Sequence, residues 1–265
     1  MDNRPIGIFD SGIGGLTAVK ELKKILPNEN LIYFGDTGRV PYGTRSPEII
    51  MSYAREDMDF LMKFGPKAIM VACGTVSSVA LSALKSEYPV KTIGVVKSAS
   101  LKALEVTKNK KIGVISTATT HKSGAFEKTI KSVSDAEIFS APCPLFIPLV
   151  ENGYIQKDNK VTRLVAEDYL APLIEKGIDT LILGCTHFPV IAELISEIAP
   201  NVTLIDSGKE AAIHLKNYLT ENNLLGENKE PYSQYFVSDT PDNFRRVAEM
   251  FLSQSLDGDV SRITL

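Results

Sequence analysis

Short apolar runs alternate with longer amphipathic stretches along most of the chain. Apolar runs bounded by glycine or polar residues predict buried strands, and stretches whose apolar positions recur every three to four residues predict helices. The clearest unit comes first, with a strand over Pro5–Phe9, a glycine-rich turn and a helix over Leu16–Ile25. Another helix is predicted from Pro47, since Ser46 can cap it and proline suits the first turn. The other predicted strands are Leu31–Phe34, Ala68–Ala72, Thr92–Val96, Lys111–Ile115, Thr180–Leu183, Thr203–Ile205 and Tyr235–Val237.

Strands separated by helices indicate an α/β fold with mainly parallel sheets flanked by helices, in which ligands bind beyond the carboxyl ends of the strands. Two pairs of segments also resemble each other, in the same order: Ile6–Ser11 with Ile112–Thr117, and Lys63–Cys73 with Lys176–Cys185. They could be ordinary buried strands. We favour a duplication, because small residues and a cysteine recur at corresponding strand ends. Two similar halves that face each other would place Cys73 and Cys185 on opposite walls of one cleft.

Composition narrows the class of protein. The 265 residues are 44% hydrophobic and 23% charged, which is typical of a globular chain with one large or two small domains. The net charge of −3 provides no basic excess for nucleic-acid binding. No apolar run approaches the roughly 18 residues of a membrane span, and the first residues lack the order of a signal peptide. We therefore expect a cytoplasmic protein with no nucleic-acid or membrane partner.

Three cysteines are too few for a disulfide scaffold, and an odd number cannot all pair, which favours free thiols in a reducing compartment. Cys143 lies between two prolines near apolar residues and is interpreted as a packing residue. Cys73 and Cys185 each end a predicted strand and begin a loop of small polar residues. A helix N-terminus at such a loop can lower a thiol pKa, so both are candidate reactive groups, with a packing role as the alternative.

Several chemistries could use these thiols. A nucleophilic hydrolase with His187 as base would leave one cysteine idle, and the Cys-x-x-Cys spacing of redox dithiols is absent. A zinc site of Cys73, Cys185, His187 and a carboxylate lacks the usual paired-ligand spacing. Inversion of a carbon centre fits better, because it needs a base on one face and an acid on the other. Thiols suit that task, since their unperturbed pKa of about 8.5 lies near neutrality.

Four motifs, in order along nearly the whole chain, resemble those of the glutamate racemases in the cofactor-independent aspartate/glutamate racemase superfamily. The motifs are Asp10–Gly15, Gly35–Gly43, Val71–Thr75 and Gly184–His187, supported by Pro144–Glu151 and Ile205–Gly208. The resemblance implies interconversion of L- and D-glutamate for peptidoglycan synthesis, with no cofactor and no metal. It also implies a homodimer and two α/β domains around the active-site cleft. The expected domains are residues 1–97 plus 208–265, and residues 98–207.

The resemblance also implies a role for individual residues. Cys73 would be the base toward D-glutamate and Cys185 the base toward L-glutamate, with Asp10 and His187 as the respective auxiliary groups. Asp36 and Glu151 match acidic positions whose role stays unspecified. The expected substrate contacts are Asp10, Ser11, Pro41, Tyr42, Gly43, Gly74, Thr75, Thr117, Thr120, Thr186 and His187.

One residue departs from the family pattern. Gly74 follows the first cysteine where the family commonly has asparagine, which removes a side-chain amide, although the glycine N–H can still donate. A racemase of aspartate or another amino acid, and a non-catalytic ligand-binding member, therefore stay open as alternatives. Taken singly, Asp10 could cap a helix and His187 could be structural. His121, in a predicted polar loop, and His214, in a predicted helix, are interpreted as structural.

Overall fold

The computed structural model describes residues 1–252 and 255–265, in which the strands form two parallel sheets. The six-stranded sheet has the order β10-β9-β2-β1-β3-β4 and the four-stranded sheet the order β6-β5-β7-β8. The first sheet therefore takes strands from both ends of the chain. The strands are β1 Ile6–Asp10, β2 Leu31–Gly35, β3 Ala68–Val71, β4 Lys91–Gly94, β5 Lys111–Ser116, β6 Glu137–Pro142, β7 Thr180–Leu183, β8 Thr203–Asp206, β9 Ser233–Val237 and β10 Val260–Arg262.

Helices connect most of these strands, and several begin at residues suited to capping. Ser46 caps the helix that starts at Pro47, as predicted, while Asn159 and Asp206 accept backbone N–H bonds at two later helix starts. The helices are α1 Leu16–Ile25, α2 Pro47–Met62, α3 Gly74–Val79, α4 Leu81–Glu87, α5 Val95–Val106, α6 Ala118–Ser123, α7 Ala125–Lys131, α8 Phe146–Glu151, α9 Lys160–Glu175, α10 Ala192–Ile198, α11 Ser207–Glu221 and α12 Pro241–Leu252. None of the described helices is long and apolar enough to cross a membrane.

The α/β class and the predicted strands are confirmed, with three corrections. The predicted strand Thr92–Val96 is too long, because β4 ends at Gly94 and both valines begin α5, where they are buried. An apolar run of this length fits a strand and a buried helix equally well. His121 is not in a loop but in α6, which Thr117 caps. Strands β6 and β10 were missed, since most of their residues are partly or fully exposed and form no apolar run.

The order of strands supports the predicted duplication. Strand β1 lies between β2 and β3, and β5 lies between β6 and β7, so β2-β1-β3-β4 corresponds to β6-β5-β7-β8. The paired sequence segments occupy corresponding strands, and Cys73 and Cys185 both lie just past the carboxyl ends of these strands. Helices α5 and α11 pack against each other and link the halves, and the first of the apolar clusters contains residues of both halves. The domain boundaries at 97/98 and 207/208 stay a prediction.

Candidate active site

A cavity of about 370 Å³ lies at the carboxyl ends of the central strands of both sheets. Strands β1 and β3 present one set of loops to it, and β5 and β7 present the other, as expected for parallel sheets. Twelve of the predicted residues line it: Ser11, Pro41, Tyr42, Gly43, Cys73, Gly74, Thr75, Thr117, Glu151, Cys185, Thr186 and His187. The further lining residues, which were not predicted as individual substrate contacts, are Gly12, Val40, Thr44, Ala118, Pro144, Ile147, Pro148 and Gly184.

Three predicted residues lie behind the lining instead. Asp10 is fully buried at the end of β1, Asp36 is fully buried beyond β2, and Thr120 is almost fully buried in α6. Thr120 accepts a hydrogen bond from the Thr117 hydroxyl at 3.0 Å, and Thr117 is in turn 3.0 Å from the Thr75 hydroxyl of the other half. These residues therefore act on the cavity through the groups that line it.

Cys73 lies near the hydroxyl of Ser11 and the buried carboxylate of Asp10. Its Sγ donates to Ser11 Oγ at 3.5 Å, and the Asp10 carboxylate accepts from the Gly12 N–H at 3.1 Å. Burial raises the pKa of Asp10, against the charge of His187 and nearby N–H groups. Burial and the Asp10 charge together raise the pKa of Cys73 to about 12, although Ser11 and the Val76 N–H oppose this. The N-terminus of α3 does act to lower this pKa through the Val76 N–H, as expected, but burial outweighs it.

Cys185 is paired with an imidazole. Its Sγ lies 3.9 Å from His187 Nδ1, and His187 Nε2 lies 2.9 Å from Glu151 Oε1 at the end of α8. Burial disfavours the charged ring, but hydrogen bonds to Cys185 and Glu151 outweigh burial and raise the pKa of His187 to about 10. These contacts favour the protonated imidazole, which can donate to the sulfur on one side and to Glu151 on the other.

The loop over Pro41–Gly43 is supported from behind by buried charges. The Tyr42 hydroxyl donates to Asp36 and lies 3.3 Å from Asp57 Oδ2. Arg39 bridges the two carboxylates, with Nε 2.6 Å from Asp36 and Nη2 3.1 Å from Asp57. Burial and the neighbouring Asp36 hold the pKa of Asp57 well above its ordinary value. Sequence reasoning missed Arg39 and Asp57; the available signal was a charged residue, Asp57, on the buried face of α2.

The chain is similar to a known family of enzymes over most of its length. The family model described as "Asp/Glu/Hydantoin racemase" matches residues 17–215. A glutamate racemase of Chlorobaculum parvum is 46% identical over 256 residues, covering 95% of this chain and 93% of the relative. One of Geobacter metallireducens is 44% identical over 268 residues, covering 100% and 98%. The chain belongs to the aspartate/glutamate racemase family.

Solved structures of the family agree with this fold. Glutamate racemase from Francisella tularensis, in complex with D-glutamate, superposes with a TM-score of 0.92 at 40% identity, covering 100% of this chain and 98% of that one. Glutamate racemase from Thermus thermophilus, in complex with beta-chloro-D-alanine, gives a TM-score of 0.90 at 39% identity, covering 100% and 99%. The two-half architecture is therefore that of the racemase family.

The other cysteine and histidines of this racemase-family chain lie outside the cavity. Cys143 is fully buried, and its Sγ is 3.9 Å from the Ala141 carbonyl. His121 pairs with Ser140, and His214 with Ser98, at 2.9 and 3.0 Å. The described residues, which include all three cysteines, contain no disulfide and no cluster of three metal-ligating side chains.

Proposed function

We propose that this protein is a glutamate racemase that interconverts L- and D-glutamate by proton transfer between two thiols and the α-carbon. The observation that carries the proposal is the pair Cys73 and Cys185, which follow corresponding strands of the two halves and line one cavity. Inversion of a carbon centre needs one group on each face, and this placement supplies both. The curated relatives named glutamate racemase cover nearly the whole chain and support glutamate as the substrate.

In the proposed reaction, the Cys73 thiolate removes the α-proton of D-glutamate, and the Cys185 thiol returns a proton to the opposite face. The C–H bond electrons pass to the α-carbon as the first proton leaves and form the new C–H bond with the second. For L-glutamate the two thiols exchange roles. Ser11 lies within hydrogen-bonding distance of Cys73, whose pKa the charge of Asp10 also affects, and His187 Nδ1 lies 3.9 Å from the sulfur of Cys185. Each sulfur thus has its own partner for resetting its protonation state.

The substrate carries two carboxylates and one ammonium group, so it needs several oriented hydrogen bonds. We assign them to the hydroxyls of Ser11, Thr75, Thr117 and Thr186 and to the backbone around Gly43, all of which line the cavity.

Three further residues act on the site through others in this proposal. Asp36 holds the Tyr42 hydroxyl, Glu151 holds the imidazole of His187, and Thr120 holds the hydroxyl of Thr117. We therefore class them as positioning residues. Asp10 is the exception among the groups behind the lining, because its charge acts directly on the Cys73 thiol.

We further propose that the product D-glutamate serves peptidoglycan synthesis in the cytoplasm, and that the protein acts as a homodimer. These three statements rest on the resemblance to glutamate racemases. Sedimentation of the purified protein tests the dimer, and complementation of a D-glutamate-requiring bacterial strain tests the cellular role. A monomer would contradict the first, and continued dependence on added D-glutamate would contradict the second.

The substrate is tested by incubating the purified protein with single enantiomers of glutamate, aspartate and other amino acids. Chiral chromatography then measures the appearance of the opposite enantiomer. We expect inversion of glutamate from either side and at least a hundredfold slower inversion of aspartate. Inversion of aspartate without glutamate would make this an aspartate racemase, and glutamate binding without inversion would make it a ligand-binding protein.

A further inference from the structure

Gly74 lies where the two halves come into backbone contact. It is the first residue of α3, directly after Cys73, and it is buried. A Cβ atom built on Gly74 would lie 2.3 Å from the carbonyl oxygen of Gly184, 3.3 Å from the Gly184 carbonyl carbon and 3.9 Å from the Cα of Cys185. The contact therefore joins the residue after one cysteine to the residue before the other.

In this chain, the space around position 74, and not its backbone conformation, favours glycine. Gly74 has helical geometry, outside the left-handed region that L-residues avoid. Alanine would be the better helix former at such a position. The opposing atom belongs to the backbone of Gly184, which is itself buried and cannot move aside like the end of a side chain.

We propose that Gly74 is a positioning residue that sets the distance between the two cysteine thiols, by letting their loops touch. The inference rests on the proposed two-thiol reaction and adds what fixes its geometry. An ordinary carbon–oxygen contact is about 3.5 Å, so in this chain a side chain at position 74 would separate the loops by roughly 1 Å. Misplacement of reacting groups by that amount can cost about a hundredfold in rate.

The sequence alone suggested a different consequence of Gly74, namely the loss of an amide that would bind substrate. The two interpretations predict opposite results for Gly74→Asn. If the missing amide matters, asparagine increases activity. If the contact matters, asparagine lowers activity, because its Cβ meets the Gly184 carbonyl as alanine's does.

The experiment compares wild-type protein with Gly74→Ala and Gly74→Asn, using glutamate enantiomers protonated or deuterated at the α-carbon. We expect kcat to fall about 10- to 100-fold in both variants, with KM changed less than about threefold. Hydrogen bonds to the carboxylates tolerate small shifts, whereas proton transfer depends steeply on distance. The α-deuterium isotope effect on kcat should also rise, because proton transfer becomes more fully rate-limiting.

Gly177→Ala is the matched control. Gly177 lies between α9 and β7 with φ 75°, and no atom lies within 4 Å of its Cβ position, so alanine strains the backbone without touching the cavity. We expect a lower Tm and an unchanged kcat for this variant. Gly74→Ala within twofold of the wild-type kcat, or a faster Gly74→Asn, would overturn the proposal.

A structural readout separates this inference from the proposed function. Crystal structures of the wild type and Gly74→Ala should differ by roughly 1 Å in the separation of the Cys73 and Cys185 Sγ atoms. An unchanged separation overturns the inference even if the protein racemises glutamate. Failure of the wild type to racemise glutamate overturns the proposed function. In that case, the Sγ separations in the wild type and Gly74→Ala still show whether Gly74 sets the distance between the thiols.

Discussion

The two walls of the cavity share a strand order and differ in their chemistry. On the first wall, Cys73 is next to Ser11 and the buried carboxylate of Asp10, and its pKa is raised to about 12. On the second wall, Cys185 is next to His187, whose pKa is raised to about 10 with the help of Glu151. The surroundings of Cys73 therefore favour its protonated form in the free protein, whereas Cys185 lies beside an imidazole whose surroundings favour positive charge.

The ionisable groups beside the two cysteines, Asp10 and His187, occupy different positions in the repeated sequence. In the alignment of Ile6–Ser11 with Ile112–Thr117, the counterpart of Asp10 is Ser116. Two residues after each cysteine, the first half has Thr75 and the second has His187. A repeated fold thus supplies two equivalent sulfur positions, while residues at different positions of the two halves give each sulfur its own ionisable partner.

The largest expected effect tests whether both walls are needed. Cys73→Ala and Cys185→Ala should each lower kcat/KM for glutamate racemisation by about 10²- to 10⁴-fold in both directions, because inversion requires a group on each face. The two directions must fall equally, since enantiomers have equal free energy. Chiral chromatography of each reaction measures this. Cys143→Ala is the control and should retain the wild-type kcat, because that thiol packs outside the cavity. Full activity of Cys185→Ala would contradict the requirement for a thiol on each wall.

The next largest expected effect is on stability, and it concerns the buried ion pairs of Arg39 with Asp36 and Asp57 behind the first wall. Arg39→Met should lower the free energy of unfolding by about 3–5 kcal/mol, because it leaves the fully buried side chains of Asp36 and Asp57 without their cation. Urea unfolding measures this. Arg55→Met removes an exposed pair with Glu87 and should lower the free energy of unfolding far less than Arg39→Met does. Equal losses in the two variants would show that the buried network does not support this wall.

On the second wall, His187 should make the free energy of unfolding depend on pH. The pKa of His187 is about 10 in the folded protein and about 6.5 when unfolded, so its charge stabilises the fold fully below pH 6.5. That contribution is lost as the pH rises toward 10. The difference in unfolding free energy between wild type and His187→Gln should shrink by at least about 1 kcal/mol from pH 6 to pH 10. A difference that stays constant, or grows, over this range would contradict the charged imidazole.

Sequence reasoning reached the fold and much of the site because the relevant signals were local. The motifs around Cys73 and Cys185 end strands, and parallel strands bring their carboxyl ends together. Contacts between distant segments were out of reach: neither the Arg39–Asp57 pair nor the approach of Gly74 to Gly184 leaves a pattern in one chain. The pKa of Cys73 was also beyond reach, since burial, which decides it, depends on the packed halves.

The most direct test of the central claim follows the α-hydrogen of each glutamate enantiomer in D₂O at less than about 10% conversion. If separate thiols serve the two faces, the product enantiomer carries deuterium at the α-carbon while the remaining substrate keeps its protium, from either starting enantiomer. Deuterium entering the starting enantiomer as fast as the product would mean that one group both removes and returns the proton, and the two-wall account would be wrong.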